Sequence, residues 1–251
     1  MTRRRLGFWR RLAWLLLVPL MKVWTKRSWY GMENLPPGGG FIIAPNHMSQ
    51  FDPVVIAHYI YNSGRWPRFL AKSSIWKIPV VGFLMVKTAQ IPVVRGSVEA
   101  AKSLDNSIAA IREGGVVVIY PEGTTTRDPD LWPMRGKTGA ARLALATGAP
   151  IVPMATWGTQ QVHDVRTGKI SLRPRVPVSV IAGKPVDLSR FEGEAPTRTV
   201  LEQMTEQVQL ATRELLAELR HEPAPRGQLF HRPPRQAGAS TEQDGTKGQL
   251  G

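Results

Sequence analysis

The sequence predicts an α/β fold: a mixed, mostly parallel sheet flanked by helices, with a separate helix at the amino-terminal end. Two observations carry this. From Gly38-Gly39-Gly40 onward, short apolar runs are each followed by a longer helical stretch, the alternation expected of strands joined by helical crossovers. Polar residues able to do chemistry recur where those runs end, which is where open α/β sheets gather their sites.

Length and composition bound the rest. A chain of 251 residues suits one domain with a core large enough to stand without staples. The absence of cysteine excludes disulfides, thiolate zinc sites and any intermediate carried on a thiol. A formal net charge of +14 and a pI near 10.7 require an anionic partner or surface. Three regions follow: a basic, Trp-rich segment over 1–30, a folded domain over 31–221, and a tail over 222–251. The tail is rich in Pro, Gly, Gln and Arg and is expected to be disordered.

Residues 1–32 contain no Asp or Glu but carry Arg3, Arg4, Arg5, Arg10, Arg11, Lys22, Lys26 and Arg27, with Phe8, Trp9, Trp14, Trp24 and Trp29 between them. The apolar run Leu12 to Met21 is about half the length of a membrane span, and Pro19 interrupts it. A basic helix of this kind lies in the bilayer interface, with Arg at lipid phosphates and Trp at headgroup level. A secretory signal is the rival reading, but no small-x-small cleavage site follows the run.

The elements then come in order. Phe41 to Pro45 reads as a buried strand leading to His47. Pro53 sits where a first helical turn accepts proline, and Val54 to Tyr61 continues that helix. Arg68 to Ala71 is a second strand. Ile75 to Lys87, with Pro79 and Gly82 inside, is an irregular apolar helix or hairpin. Ile91 to Val94 is a third strand, ending at Arg95-Gly96. Ser97 caps a helix that Gly114-Gly115 stops near Glu113, and Val116 to Tyr120 is a fourth strand. A helix over Gly139 to Thr147 and strands over Ile151 to Thr156 and Val176 to Ile181 follow. Leu201, Met204, Val208, Ala211, Leu215 and Leu219 recur at helical spacing, giving a last helix whose apolar stripe docks on the sheet.

The chemistry starts with His47 and Asp52, five residues apart after the first strand. Imidazole takes up a proton near neutral pH, and a carboxylate on one ring nitrogen fixes the tautomer that leaves the other free to accept. Chance has to be weighed. With seven Asp in 251 residues, one of five His finds an Asp at that spacing roughly 14% of the time. What lifts the pair above chance is its company: Arg95 after another strand, Glu122-Gly123-Thr124 after a third, and Val152-Pro153 in a fourth.

Asn46-His47-x4-Asp52, Leu70-Ala71-Lys72 leading to Ile78-Pro79-x-x-Gly82, Pro92-Val93-Val94-Arg95-Gly96, Tyr120-Pro121-Glu122-Gly123-Thr124, Lys137-x-Gly139-Ala140-Ala141 and Ile151-Val152-Pro153 occur in that order. As a set, over residues 30–185, they resemble the glycerolipid acyltransferase superfamily, in particular the bacterial 1-acylglycerol-3-phosphate acyltransferases. The resemblance implies a glycerol-3-phosphate acyltransferase-like fold and transfer of a fatty acyl group from acyl-CoA or acyl-carrier-protein to lysophosphatidic acid, giving phosphatidic acid. His47 would be the base and Asp52 its partner. Arg95, Lys137 and then Arg127 would meet the acceptor phosphate, while Glu122, Gly123 and Thr124 shape the acceptor site. The donor thioester is a co-substrate, and neither a cofactor nor a metal is implied. The expected setting is the cytoplasmic face of the cell membrane, held peripherally or monotopically on anionic phospholipids. One departure is plain: many family members carry Arg directly after Glu-Gly-Thr, where this chain has Thr125. That bears on the acceptor head group more than on the reaction.

Other readings bear on the same residues. The acceptor could instead be glycerol 3-phosphate, another lysophospholipid or a glycolipid. The charge could serve nucleic acid, but it is concentrated before residue 33 among Trp and Leu, and no nucleic-acid motif appears. A fold that kept lipid binding and lost catalysis would not need His47, Asp52 and Glu122. Gly136-Lys137-Thr138 resembles the end of a P-loop, but the glycine needed five positions earlier is Leu131. Ser49 could in principle be a nucleophile, but the resemblance assigns it no such role. His58 reads as a packed or surface histidine, and Arg95 could merely pair with Glu99.

Overall fold

The computed structural model describes residues 7–93 and 99–231. Its strands are β1 (Thr25–Tyr30), β2 (Phe41–Pro45), β3 (Pro67–Lys72), β4 (Ile91–Val93), β5 (Val116–Val118), β6 (Ile151–Trp157) and β7 (Val176–Ala182). Its helices are α1 (Phe8–Trp24), α2 (Asp52–Asn62), α3 (Pro79–Lys87), α4 (Glu99–Arg112), α5 (Gly139–Thr147) and α6 (Arg198–Arg220). The strands form one sheet in the order β1-β7-β6-β2-β5-β3-β4. Every neighbouring pair is parallel except β6 with β7.

The central strands are apolar throughout because both faces of the sheet are covered. Alternation sorts their side chains. Phe41, Ile43, Val116 and Val118 pack with Val55, Ile56 and Tyr59 of α2 on one face. Ile42, Ala44 and Val117 pack with Leu143 of α5 and with Leu201, Met204 and Val208 of α6 on the other. The ends of β2 and β5 therefore lie side by side, and the segments leaving them meet.

Three differences from the sequence reading are instructive. Thr25–Tyr30, placed within the interfacial segment, is a strand that pairs in parallel with β7 along its length. It escaped notice because an edge strand with one paired side keeps its charges, here Lys26 and Arg27, and shows no apolar run. Ile75 to Lys87 resolves into a 3-10 turn over Ser73–Lys77 and the helix α3, started by Pro79 in its first turn. Gly82 is required there, since a Cβ would meet the Trp76 carbonyl oxygen at 2.2 Å.

The third difference lies at the carboxyl-terminal end. Residues 222–231, read as the start of a disordered tail, fold back so that Phe230 bridges Met134 and Leu229 is buried. These are two of the few apolar residues the tail possesses, and both find cover. Arg95 and Ser97 lie outside the described residues, as does the tail beyond 231.

Candidate active site

β2 ends at Pro45, and the next residue fixes the turn. Asn46 is buried and pairs reciprocally with the β6 backbone: its amide donates to Thr156 O at 3.1 Å, and Thr156 N donates to Asn46 Oδ1 at 2.8 Å. The side chain thus continues the ladder that the backbone has left, and directs His47 over the strand ends.

Asp52 opens α2 fully buried, a position where the helix N-terminus favours a carboxylate. Its Oδ2 accepts from Met48 N at 2.7 Å and Ser49 N at 2.8 Å, and lies 2.9 Å from His47 Nδ1. Facing a carboxylate, Nδ1 carries the ring proton and Nε2 is left as the acceptor. The Tyr120 ring stacks on the His47 ring at 4.1 Å between centroids, which fixes the imidazole plane. His47 keeps 16% of its side chain exposed, an opening for a substrate.

The loop after β5 holds the backbone of His47 from both sides. His47 N donates to Glu122 Oε1 at 3.1 Å, and its carbonyl accepts from Thr126 N at 2.6 Å. Glu122 Oε2 accepts from Met134 N at 3.2 Å. Glu122 is 4% exposed, and burial pushes its carboxyl up to about 8, partly offset by the Met134 and His47 N–H groups. Gly123 takes a left-handed φ of +66°, and the Lys137 stem lies over it, 3.3 Å from where a Cβ would stand. Lys137 N also donates to Pro121 O at 2.7 Å.

The sequence-chosen residues separate accordingly. His47, Asp52 and Glu122 are joined by hydrogen bonds, and Gly123 and Lys137 are stacked beside them. Thr124 is half-buried in the same loop. Arg127 is exposed three residues beyond, its backbone N–H on Met134 Sδ at 3.2 Å. Ser49 is fully buried with its hydroxyl donated to His163 O at 2.8 Å, so it points away from the site as a structural turn residue. Tyr120, Thr156 and Met134 were given no role in the sequence. Tyr120 was the accessible one, since an aromatic side chain at the end of a strand beside the one leading to His47 is placed to cover that ring. Among the described residues, no group of three His, Cys, Asp or Glu could hold a metal ion.

The fold is of the α/β class, a mostly parallel sheet with a His–Asp pair at its strand ends. Residues 26–157 match the family model described as Acyltransferase, and the chain belongs to that family. It is 29% identical over 177 residues to a chloroplastic 1-acyl-sn-glycerol-3-phosphate acyltransferase, BAT2, of Brassica napus, covering 66% of this chain and 49% of that protein. It is 34% identical over 130 residues to the 1-acyl-sn-glycerol-3-phosphate acyltransferase of Borreliella burgdorferi, covering 51% and 50%. The chain thus spans about half the length of these two relatives. With the enzyme of that name from Bacillus subtilis it is 29% identical over 191 residues, covering 74% of this chain and 86% of that one. The fold matches the crystal structure of the 1-acyl-sn-glycerophosphate (LPA) acyltransferase PlsC from Thermotoga maritima with a TM-score of 0.57 at 23% identity, over 87% of this chain and 79% of that one.

Proposed function

We propose that the protein transfers a fatty acyl group from an acyl-CoA or acyl-carrier-protein thioester to lysophosphatidic acid, giving phosphatidic acid. One observation carries the mechanism: Asp52 Oδ2, already fixed by two backbone N–H groups, lies 2.9 Å from His47 Nδ1. The acceptor hydroxyl is far too weak an acid to ionise unaided in water at neutral pH. His47 Nε2 takes its proton as the oxygen bonds to the thioester carbon, and Asp52 stabilises the imidazolium that forms. The C–S bond then breaks and the proton passes to the departing thiolate. No cofactor is needed, since the donor brings its own activated carbonyl. Lys137, beside Gly123, and Arg127 and Arg95 are the cations for the acceptor phosphate.

The membrane setting is part of the same proposal. Phe8, Leu15, Leu17, Leu20 and Val23 of α1 are exposed, as are Val80, Val81, Phe83, Leu84 and Val86 of α3. The two helices are joined by Trp9 against Phe83, 4.9 Å between ring centroids. No helix among the described residues is long and apolar enough to cross a membrane. Both helices therefore lie on the lipid, at the cytoplasmic face, with their basic residues at anionic headgroups. The face of α3 offers the acyl chain an apolar path.

Thr125, where many family members have Arg, favours a second reading in which the same chemistry serves another acceptor. Purified protein assayed with lysophosphatidic acid, glycerol 3-phosphate, a lysophospholipid and a glycolipid separates the two. Turnover is expected to be highest with lysophosphatidic acid; none with it while another acceptor reacts overturns the first reading.

A further inference from the structure

Beneath α1, at the outer edge of the sheet, Arg27 and His58 meet without an acid, and the charge of Lys22 bears on the ring. Arg27 extends from β1, His58 from α2 and Lys22 from the last turn of α1. Arg27 Nη1 lies 3.4 Å from His58 Nε2; a guanidinium only donates, so Nε2 accepts and the ring proton sits on Nδ1. That Nδ1–H is buried without a hydrogen-bond partner, and so is Arg27 Nε. His58 is 3% exposed, with Trp14 and Trp29 edge-on to it at 5.0 and 5.6 Å between centroids.

Among the described residues, neither Arg27 nor Lys22 forms an ion pair with a carboxylate. Burial, and then the charges of Arg27 and Lys22, bring His58 down to about 4, so the imidazole is neutral and answers neither charge. Two buried N–H groups, Arg27 Nε and His58 Nδ1, are unfavourable until an acceptor arrives.

We propose that Arg27 and His58 form an anion site for the phosphate oxygens of a lipid headgroup, walled by Trp14 and Trp29, with the charge of Lys22 adding to its field. It is distinct from the acceptor site, because β1 is separated from β2, which leads to His47, by β7 and β6. The anion chemistry follows from the unpartnered donors. The choice of a lipid over free phosphate rests on the membrane-surface reading, since α1, which lays Trp14 against His58, has an exposed apolar face. Occupation of the site would lock α1 onto the sheet edge where it meets the bilayer.

The test follows the His58 Nδ1 resonance and the vesicle-bound fraction of the full chain. It is titrated with inorganic phosphate, and separately with phosphatidylcholine vesicles with or without phosphatidylglycerol. Phosphate and phosphatidylglycerol vesicles should both move the His58 resonance. Arg27→Gln should abolish that shift and weaken binding to phosphatidylglycerol vesicles about tenfold. Its binding to pure phosphatidylcholine and its turnover of detergent-dispersed substrate should be unchanged. Arg27→Lys keeps the charge and should retain part of the binding, which serves should the glutamine variant fail to fold. A shift with phosphate alone rejects lipid as the source; if the wild type also binds no vesicles, the membrane-surface reading falls while the anion site stands. A His58 resonance unmoved by either probe, or anionic-vesicle binding by Arg27→Gln equal to wild type, overturns the site.

Discussion

His47 is presented by other residues more than by its own chain. Its ring is set by Asp52 and Tyr120, and its peptide groups by Glu122 and Thr126. Glu122 is the costly member of this set, a buried carboxyl that links two loops. Its pKa in the folded protein, about 8, stands above the ordinary 4.5. The folded state therefore binds its proton in preference. The stability this gives is fully present below 4.5 and is lost as pH rises through about 8, by up to about 1.4 kcal/mol per pH unit. Glu122→Gln should remove that slope, so the wild-type advantage in denaturant-measured stability shrinks between those pH values; an unchanged difference contradicts the assignment. Glutamine cannot replace the carboxyl without loss, because its NH₂ would face either the His47 or the Met134 N–H. At this scale the sequence was legible for His47, Asp52 and Glu122, whose chemistry is visible in their residue types. Asn46–Thr156 and Glu122–Met134 were not, since one joins residues 110 positions apart and the other uses a backbone N–H that any residue carries.

Among the elements, α6 and the segment after it brace the loop that carries Glu122. Gln209 donates to Met134 O at 2.6 Å, Arg135 N to Phe230 O at 3.0 Å, and Arg213 to Gly227 O at 3.0 Å. Met134 is thereby held by α6, by the returning chain and by Glu122 at once. Removing residues 227–251 should lower stability by about 1–3 kcal/mol through the lost backbone bonds and the burial of Leu229. It should also slow turnover, because the loop beneath His47 loosens; thermal unfolding and an activity assay on the truncated protein check both, and full activity would show the brace to be dispensable. The stripe Leu201, Met204 and Val208 on α6 was readable from its period, but Gln209 and Thr212 sit buried on the same helix. They are there because the carbonyls of Met134 and Ala44 need donors, a demand set by partners distant in sequence. β1 was hidden for the reason its edge position gives, and the Arg27 guanidinium it brings to His58 was hidden with it.

For the whole molecule, the distribution of charge and exposed apolar surface agrees with the order of motifs. α1, which lies within the acid-free start of the sequence, and the apolar face of α3 come together through Trp9 and Phe83. The strand ends bring His47 and Glu122 within one hydrogen bond across 75 residues of chain. Composition could foretell a basic surface, and the motif order a shared edge. Neither could show that α1 is anchored by Trp14 stacked on Tyr61, since that contact depends on how α2 sits on the sheet. The central claim is that a base at His47 drives acyl transfer, and the most direct measurement is the initial rate with lysophosphatidic acid for wild type and His47→Ala, with folding of both checked by thermal unfolding. The account predicts a fall of at least about 10²-fold in kcat at retained stability. A folded variant within about tenfold of wild type would contradict it.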